Sequence, residues 1–73
     1  MQLQVGQRIG IVVNGEAAET GAATLAELLA ELGYGEAAVA TARNGEFVAR
    51  AARPGTRLAA GDKVEIVAPR QGG

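Results

Sequence analysis

The stretch of sequence that decides the fold is TLAELLAELG, residues 24–33. Thr24 and Glu27 form a capping box, in which each side chain satisfies a free backbone N–H at the start of a helix. Four leucines follow at the spacing i, i+3, i+4 and i+7 and share one helix face: Leu25, Leu28, Leu29 and Leu32. Gly33 is expected to end the helix in a left-handed conformation. A helix of about nine residues does not persist alone, so its leucine face must pack on a sheet.

Upstream of this helix, the sequence predicts a β-hairpin. Residues 9–13, IGIVV, alternate with a period of two, which is typical of a strand. Asn14-Gly15 follows, and this pair is the strongest short hairpin signal because both turn positions need positive φ. Residues 16–20 are weak in strand propensity, and only their place after the turn predicts a second strand.

Downstream of the helix, we expect in order a strand, a hairpin turn, a short strand, a loop and a final strand, at residues 39–43, 44–45, 46–48, 49–60 and 63–68. Leu58 is the expected anchor of the loop, and Val64 and Ile66 share one face of the final strand. Val67 either faces outward, where it joins a docking patch, or is buried. The pattern predicts an α+β domain with one helix across a mixed sheet of four to five strands. The first and last strands should pair in parallel at its centre.

The composition excludes most catalytic chemistry. The 73-residue chain contains no Cys, His, Ser or Trp. The usual nucleophile-and-base arrangements therefore cannot be built, and a structural zinc site is not expected. A chain this short also forms only a thin core and no deep substrate cleft. We expect a protein that is not an enzyme and that holds no metal or cofactor of its own.

The charge pattern argues against nucleic acid and membranes as partners. The net charge is −1 and the pI is about 5.3, whereas nucleic-acid binders usually carry a basic face. The arginines at 43, 50, 53 and 57 are interpreted as scattered, solvated charges. No apolar run approaches the roughly 20 residues of a membrane span, and residues 1–10 lack the features of a signal peptide. A cytoplasmic location is the expectation.

Four motifs occur in an order that is known from one family: IVVNG (11–15), TLAELL to LG (24–33), VA to NGE (39–46), and GDKVEIV into QGG (61–73). With them, the chain resembles the ubiquitin-like β-grasp sulfur carriers, most closely the sulfur carrier of thiamine biosynthesis. The resemblance covers residues 9–73. Two departures exist: residues 49–53 replace a Pro-Arg pair and an acidic or aromatic stretch, and about eight extra residues precede the first strand.

The resemblance implies three segments: an N-terminal extension of unassigned role at 1–8, a β-grasp domain at 9–68, and a flexible tail at 69–73. It implies that an E1-like adenylating enzyme uses ATP to activate the carboxylate of Gly73. A sulfur donor, such as a cysteine desulfurase, then converts the adenylate to a thiocarboxylate, and thiazole synthase receives the sulfur. Gly72, Gln71 and Arg70 would thread into the partner's site, and the two glycines at the end would fit a narrow channel because they have no Cβ.

Three alternatives remain open at this point. The small subunit of molybdopterin synthase shares the fold and the Gly-Gly end, although the short length and Gln71 favour the thiamine carrier. A ubiquitin-like modifier would be joined through Gly73 to lysines of target proteins. A plain interaction domain would have dispensable terminal glycines, as a frayed end normally has.

Overall fold

The computed structural model describes residues 8–35 and 37–68. Five strands, one α-helix and one 3₁₀ helix follow each other in the order β1 (Ile9–Val13), β2 (Glu16–Thr20), α1 (Leu25–Glu31), β3 (Ala40–Arg43), β4 (Glu46–Val48), the 3₁₀ helix (Arg50–Gly55) and β5 (Lys63–Val67). The sequence predicted all of these except the 3₁₀ helix, which lies in the segment interpreted as loop. The predicted N-terminal extension, except residue 8, and the predicted tail at 69–73 lie outside the described residues.

The strands form one mixed sheet in the order β2-β1-β5-β3-β4. β1 and β5 are parallel, and the other neighbours are antiparallel. The first and last strands therefore lie side by side in the interior of the sheet, as predicted. With α1 across one face, this arrangement is the β-grasp fold.

Both Asn-Gly pairs form the predicted hairpin turns. Asn14 and Asn44 have φ of 50° and 52°, and the glycine after each has φ of 84°. The strand pairs Val13–Glu16 and Arg43–Glu46 close directly on these two-residue turns. Two successive positive φ values suit the right-handed twist of the strands, which explains why so short a signal predicts the turn correctly.

The core is a single layer between α1 and the sheet. Its buried residues are Ile11, Leu25, Leu28, Leu29, Val64 and Ile66. Leu32, predicted on the same face, is 43% exposed. The prediction is wrong for this residue because the helix ends at Glu31, and Leu32 is already its C-cap. Tyr34 folds back through a hydrogen bond from its N–H to the carbonyl of Leu29 (2.9 Å) and packs against the core instead.

The predicted capping box forms at the start of α1, but one of its two hydrogen bonds differs from the prediction. The hydroxyl of Thr24 accepts the N–H of Glu27 at 3.2 Å. The carboxylate of Glu27, however, accepts the N–H of Ala23 at 2.8 Å rather than that of Thr24. The segment around Thr24 also forms a short antiparallel bridge to Arg57, and this bridge ties the helix start to the chain before β5.

Strand β2 is held by contacts that make up for its weak propensity. Thr20 at its end is buried, and its hydroxyl donates to Glu31 Oε1 at 2.6 Å and accepts the N–H of Ala22 at 2.9 Å. Although Glu31 is exposed, its carboxylate ties α1 to β2. A hydrogen bond to a charged acceptor is among the stronger ones, so the hairpin edge is fixed by side chains.

The interpretation of the arginines as scattered surface charges is wrong for Arg53, which is buried. It is only 7% exposed, because the 3₁₀ helix, which packs against α1, turns the Arg53 side chain toward β3. Its Nε donates to Thr41 Oγ1 at 3.0 Å, and its Nη2 donates to the carbonyl of Val39 at 2.6 Å. Arg43 is also engaged, with Nη1 donating to the carbonyl of Arg57 at 2.7 Å. These two arginines have structural roles in joining distant segments.

Asp62 organises the turn before β5. Its carboxylate accepts the N–H of Ala59 (2.9 Å) and Nδ2 of Asn44 (3.1 Å), and Arg43 lies 3.8 Å away. Burial acts to raise the pKa of Asp62, but the two hydrogen bonds and the arginine outweigh it and lower the pKa.

We expect Asp62 to make stability depend on pH in the acid range. A folded-state pKa below the unfolded value of about 3.9 contributes stability that is fully present above that value and is lost as the pH falls through the folded pKa. Urea unfolding of wild type and Asp62→Asn should therefore show a difference in unfolding free energy that shrinks between about pH 7 and about pH 3. A difference that stays constant with pH would contradict the assignment.

Candidate functional site

The predicted site residues form the end of the chain. Arg70, Gln71, Gly72 and Gly73 lie outside the described residues. What the structure describes is the base from which this tail leaves, namely β5 up to Val67 and then Ala68. The site is therefore built from how β5 is held and from what surrounds its end.

β5 is held from both sides. Toward β1, the carbonyls of Asp62 and Val64 accept backbone N–H groups from Val12 and Asn14, each at 2.9 Å. Toward β3, four residue pairs run antiparallel, from Arg43–Val64 to Ala40–Val67. A central strand with two ladders is among the last parts of a sheet to open locally. The tail thus starts from a rigid base.

Two asparagine side chains extend these ladders beyond the backbone. Asn14 binds both the N–H and the carbonyl of Ile66, at 2.8 and 3.1 Å. Asn44 accepts the N–H of Lys63 at 2.9 Å. The sequence identified both asparagines as turn formers only. Their second role could not be found from sequence, because the bonds from Asn14 reach across 52 residues.

The face of the sheet opposite α1, here called the open face, is partly apolar. Val67 is 61% exposed and Phe47 is 72% exposed. The register places Ala40 beside Val67, and Ala42 beside Phe47. Of the two alternatives for Val67, the outward one is correct. The sequence did not predict that Phe47 is exposed. Thr41 pairs with the buried Ile66 and therefore points inward, so the next residue of β3, Ala42, and its partner Phe47 point to the open face.

An open surface groove borders the base of the tail. It has a volume of about 440 Å³ and is lined by Ala37, Ala38, Val39, Ala40, Arg50, Arg53 and Val67. Its lining is mostly Ala and Val side chains, together with two arginines. Such a surface suits contact with another protein better than enclosure of a small substrate, which normally needs a deep pocket.

Within residues 8–35 and 37–68, no three Asp, Glu, His or Cys side chains lie where they could hold a metal ion. In the same ranges, no helix is long and apolar enough to cross a membrane. What the arrangement can do is present a rigid strand end and an exposed apolar face to a partner.

Comparisons with known proteins agree with this architecture. The model of the ThiS family matches residues 11–73. The crystal structure of the thiamine biosynthesis protein ThiS from Geobacter metallireducens superposes with a TM-score of 0.74 at 33% sequence identity, covering 89% of this chain and 100% of that one. A comparison with curated protein sequences found no match. Because the family model spans all but the first ten residues and the fold agrees with that of a solved ThiS, the chain belongs to the ThiS family.

Proposed function

We propose that this chain is a sulfur carrier of thiamine biosynthesis and that the carboxylate of Gly73 is the group that carries the sulfur. The observation on which the proposal rests is that the family match continues to the last residue, Gly73, so that it includes the terminal glycine pair. The solved relative from Geobacter metallireducens is described as a thiamine biosynthesis protein, which supports the same pathway here.

The chemistry follows from the weakness of a carboxylate as an electrophile. A carboxylate oxygen is not a leaving group, so sulfide cannot replace it directly. An E1-like adenylating enzyme would join Gly73 to the adenylyl group of ATP and release pyrophosphate. Sulfide sulfur would then attack the acyl carbon, and AMP would leave with the bonding electron pair. The product is a thiocarboxylate on Gly73, whose sulfur thiazole synthase would use.

The division of labour between carrier and partner is consistent with the residues present. The chain has no Cys, His or Ser to act as a nucleophile, so it is proposed to be a substrate rather than an enzyme. ATP would be bound by the adenylating partner, and the carrier would need no cofactor. Arg70, Gln71 and Gly72 would lead Gly73 into the partner's site.

The open face is the surface that we propose partners use. Val67 lies on this face and is six residues before Gly73. An extended chain spans about 3.3–3.6 Å per residue, so the carboxylate of Gly73 would reach roughly 20 Å from Val67 on the open face. Exposed aromatic and aliphatic side chains such as Phe47 are typical anchors of interfaces. The adenylating enzyme and thiazole synthase would bind one after the other, since each needs the same carboxylate.

The alternative functions predict different products at Gly73. A ubiquitin-like modifier would become linked through Gly73 to another chain, whereas a carrier would gain one sulfur atom. The small subunit of molybdopterin synthase would also carry sulfur, but it would deliver it to a different acceptor.

The test is conversion of the purified wild-type chain in vitro. The chain is incubated with its organism's adenylating enzyme, ATP and sodium sulfide, and its intact mass is measured. We expect replacement of one oxygen by sulfur, located at Gly73 by fragmentation, and no change when ATP is omitted. Unchanged mass in the presence of an adenylating enzyme that is active on ATP would contradict the proposal.

A further inference from the structure

The end of β5 depends on a side chain from the opposite end of the sequence. We infer that Asn14 is a positioning residue, which fixes the point at which the tail leaves the fold and so sets where Gly73 can reach. The inference rests on the proposed function, because it concerns delivery of the Gly73 carboxylate. It starts from the two hydrogen bonds between the Asn14 side chain and Ile66.

The backbone of β1 cannot hold β5 at this point. β1 ends at Val13, and its chain turns away into the hairpin at Asn14-Gly15. In antiparallel pairing with β3, residues of β5 alternate in the side to which their polar groups point. The N–H and carbonyl of Ile66 point toward β1. Without the Asn14 side chain, both groups would face the place that β1 has just left.

An asparagine suits this position for two separate reasons. Its φ is 50°, and asparagine tolerates the left-handed region better than most residues. Its amide is both donor and acceptor, so it can bind a carbonyl and an N–H together. Nδ2 donates to the carbonyl of Ile66 and Oδ1 accepts its N–H, as a backbone peptide group would. The amide thus continues the parallel ladder by one step after the backbone has turned.

The consequence concerns the length of chain between the sheet and Gly73. Ile66 and Val67 are the last two residues of β5, and Gly73 lies seven residues after Ile66. If these residues left the ladder, the chain would pivot near Glu65 instead of Ala68. The three residue steps from Glu65 to Ala68 would add roughly 10 Å of slack at about 3.3–3.6 Å each. Since a misplacement of about 1 Å can cost on the order of a hundredfold in rate, the pivot point matters for reaction at Gly73.

Asn44 provides a matched control at the other end of the same strand. It has the same left-handed conformation, precedes a glycine, and binds β5 through its side chain. Its contacts, however, are with Lys63, the first residue of β5, and with Asp62. Replacing either asparagine by glycine keeps the positive φ and removes only the side chain. The two variants therefore lose comparable hydrogen bonds, but only one loses them next to the tail.

The experiment compares Asn14→Gly and Asn44→Gly in the full chain by two readouts. The first is amide hydrogen exchange of Ile66, which needs no partner; we expect it to be at least tenfold faster in Asn14→Gly than in Asn44→Gly. The second is steady-state adenylation by the partner enzyme with the carrier as varied substrate. We expect kcat to fall at least fivefold for Asn14→Gly, with KM within about twofold of wild type because the open face is intact. Asn44→Gly should change neither constant by more than about twofold.

Several outcomes would overturn the inference. Equal exchange at Ile66 in the two variants, or equal kcat, would mean that Asn14 is a turn former only. If Asn14→Gly does not fold, Asn14→Asp keeps the acceptor but loses the donor to Ile66; wild-type exchange and wild-type kcat for that variant would also overturn it. Failure of the wild-type chain to be adenylated contradicts the proposed function itself, and with it the role of Asn14, whatever the exchange rates are.

Discussion

Deleting Gly73 is expected to abolish sulfur loading while leaving the fold unchanged. The deletion shortens the tail by one residue, about 3.3–3.6 Å, and places the new carboxylate on Gly72. Because a misplacement of about 1 Å can cost on the order of a hundredfold in rate, we expect conversion to drop at least about a hundredfold. One residue added after Gly73 should be equally damaging, and Gly72→Ala should impair less, by crowding the channel.

The measurement is intact mass after incubation with adenylating enzyme, ATP and sulfide, on wild type and the deletion variant in parallel. Thermal unfolding of both proteins is the control, and it should show equal midpoints, because the core lies between residues 11 and 66. If the deletion variant gains sulfur as fast as wild type, Gly73 is not the reacting residue. The same conclusion would follow if cells that depend on the deletion variant grew without thiamine at the wild-type rate.

The second large effect is expected in the core. Leu28, on the inner face of α1, is 1% exposed and belongs to the core cluster that includes residues of β1 and β5. Leu28→Ala should lower the free energy of unfolding by about 2–5 kcal/mol, from lost burial and the cavity left behind. That is a large part of the roughly 5–15 kcal/mol that stabilises a typical domain.

Leu32→Ala is the matched control for this prediction. It makes the same chemical change one helical turn later, at a residue that is 43% exposed. Its cost should stay below about 1 kcal/mol, as for most surface substitutions. Urea titrations of the three proteins give the comparison. Similar losses for both variants would mean that Leu32 is buried in solution and that the helix is longer than seven residues.

The two kinds of effect separate stability from function along one strand. Val64 and Ile66 are buried on the helix side of β5, and Val67 is exposed on the open face. The same strand therefore completes the core and starts the tail. A substitution of Val64 on its inner face should change the free energy of unfolding without changing the reach of Gly73. Loss of the Asn14 side chain should change that reach, because its hydrogen bonds to Ile66 lie near the strand end.

The sequence by itself determined the elements of this protein and their order. The capping box at Thr24 and the Asn-Gly pairs act within a few residues of chain, so their outcome does not depend on the rest of the molecule. The period-two alternation in residues 9–13 also indicates which side chains face the core. From these local signals, a mixed sheet with parallel first and last strands is the economical arrangement, because it buries both apolar strands under one helix.

Only the tertiary structure decided which polar residues are structural and which apolar ones stay exposed. Arg53 is buried because a 3₁₀ helix, absent from the local pattern, folds it onto Thr41. Leu32 is exposed because α1 ends at Glu31, and Tyr34 packs against the core instead. Asn14 acts on Ile66 from 52 positions away. For Arg53 and Asn14 the physical reason is the same: each outcome is set by contacts between residues that the fold brings together from distant parts of the chain, and such contacts leave no periodic signal in the sequence.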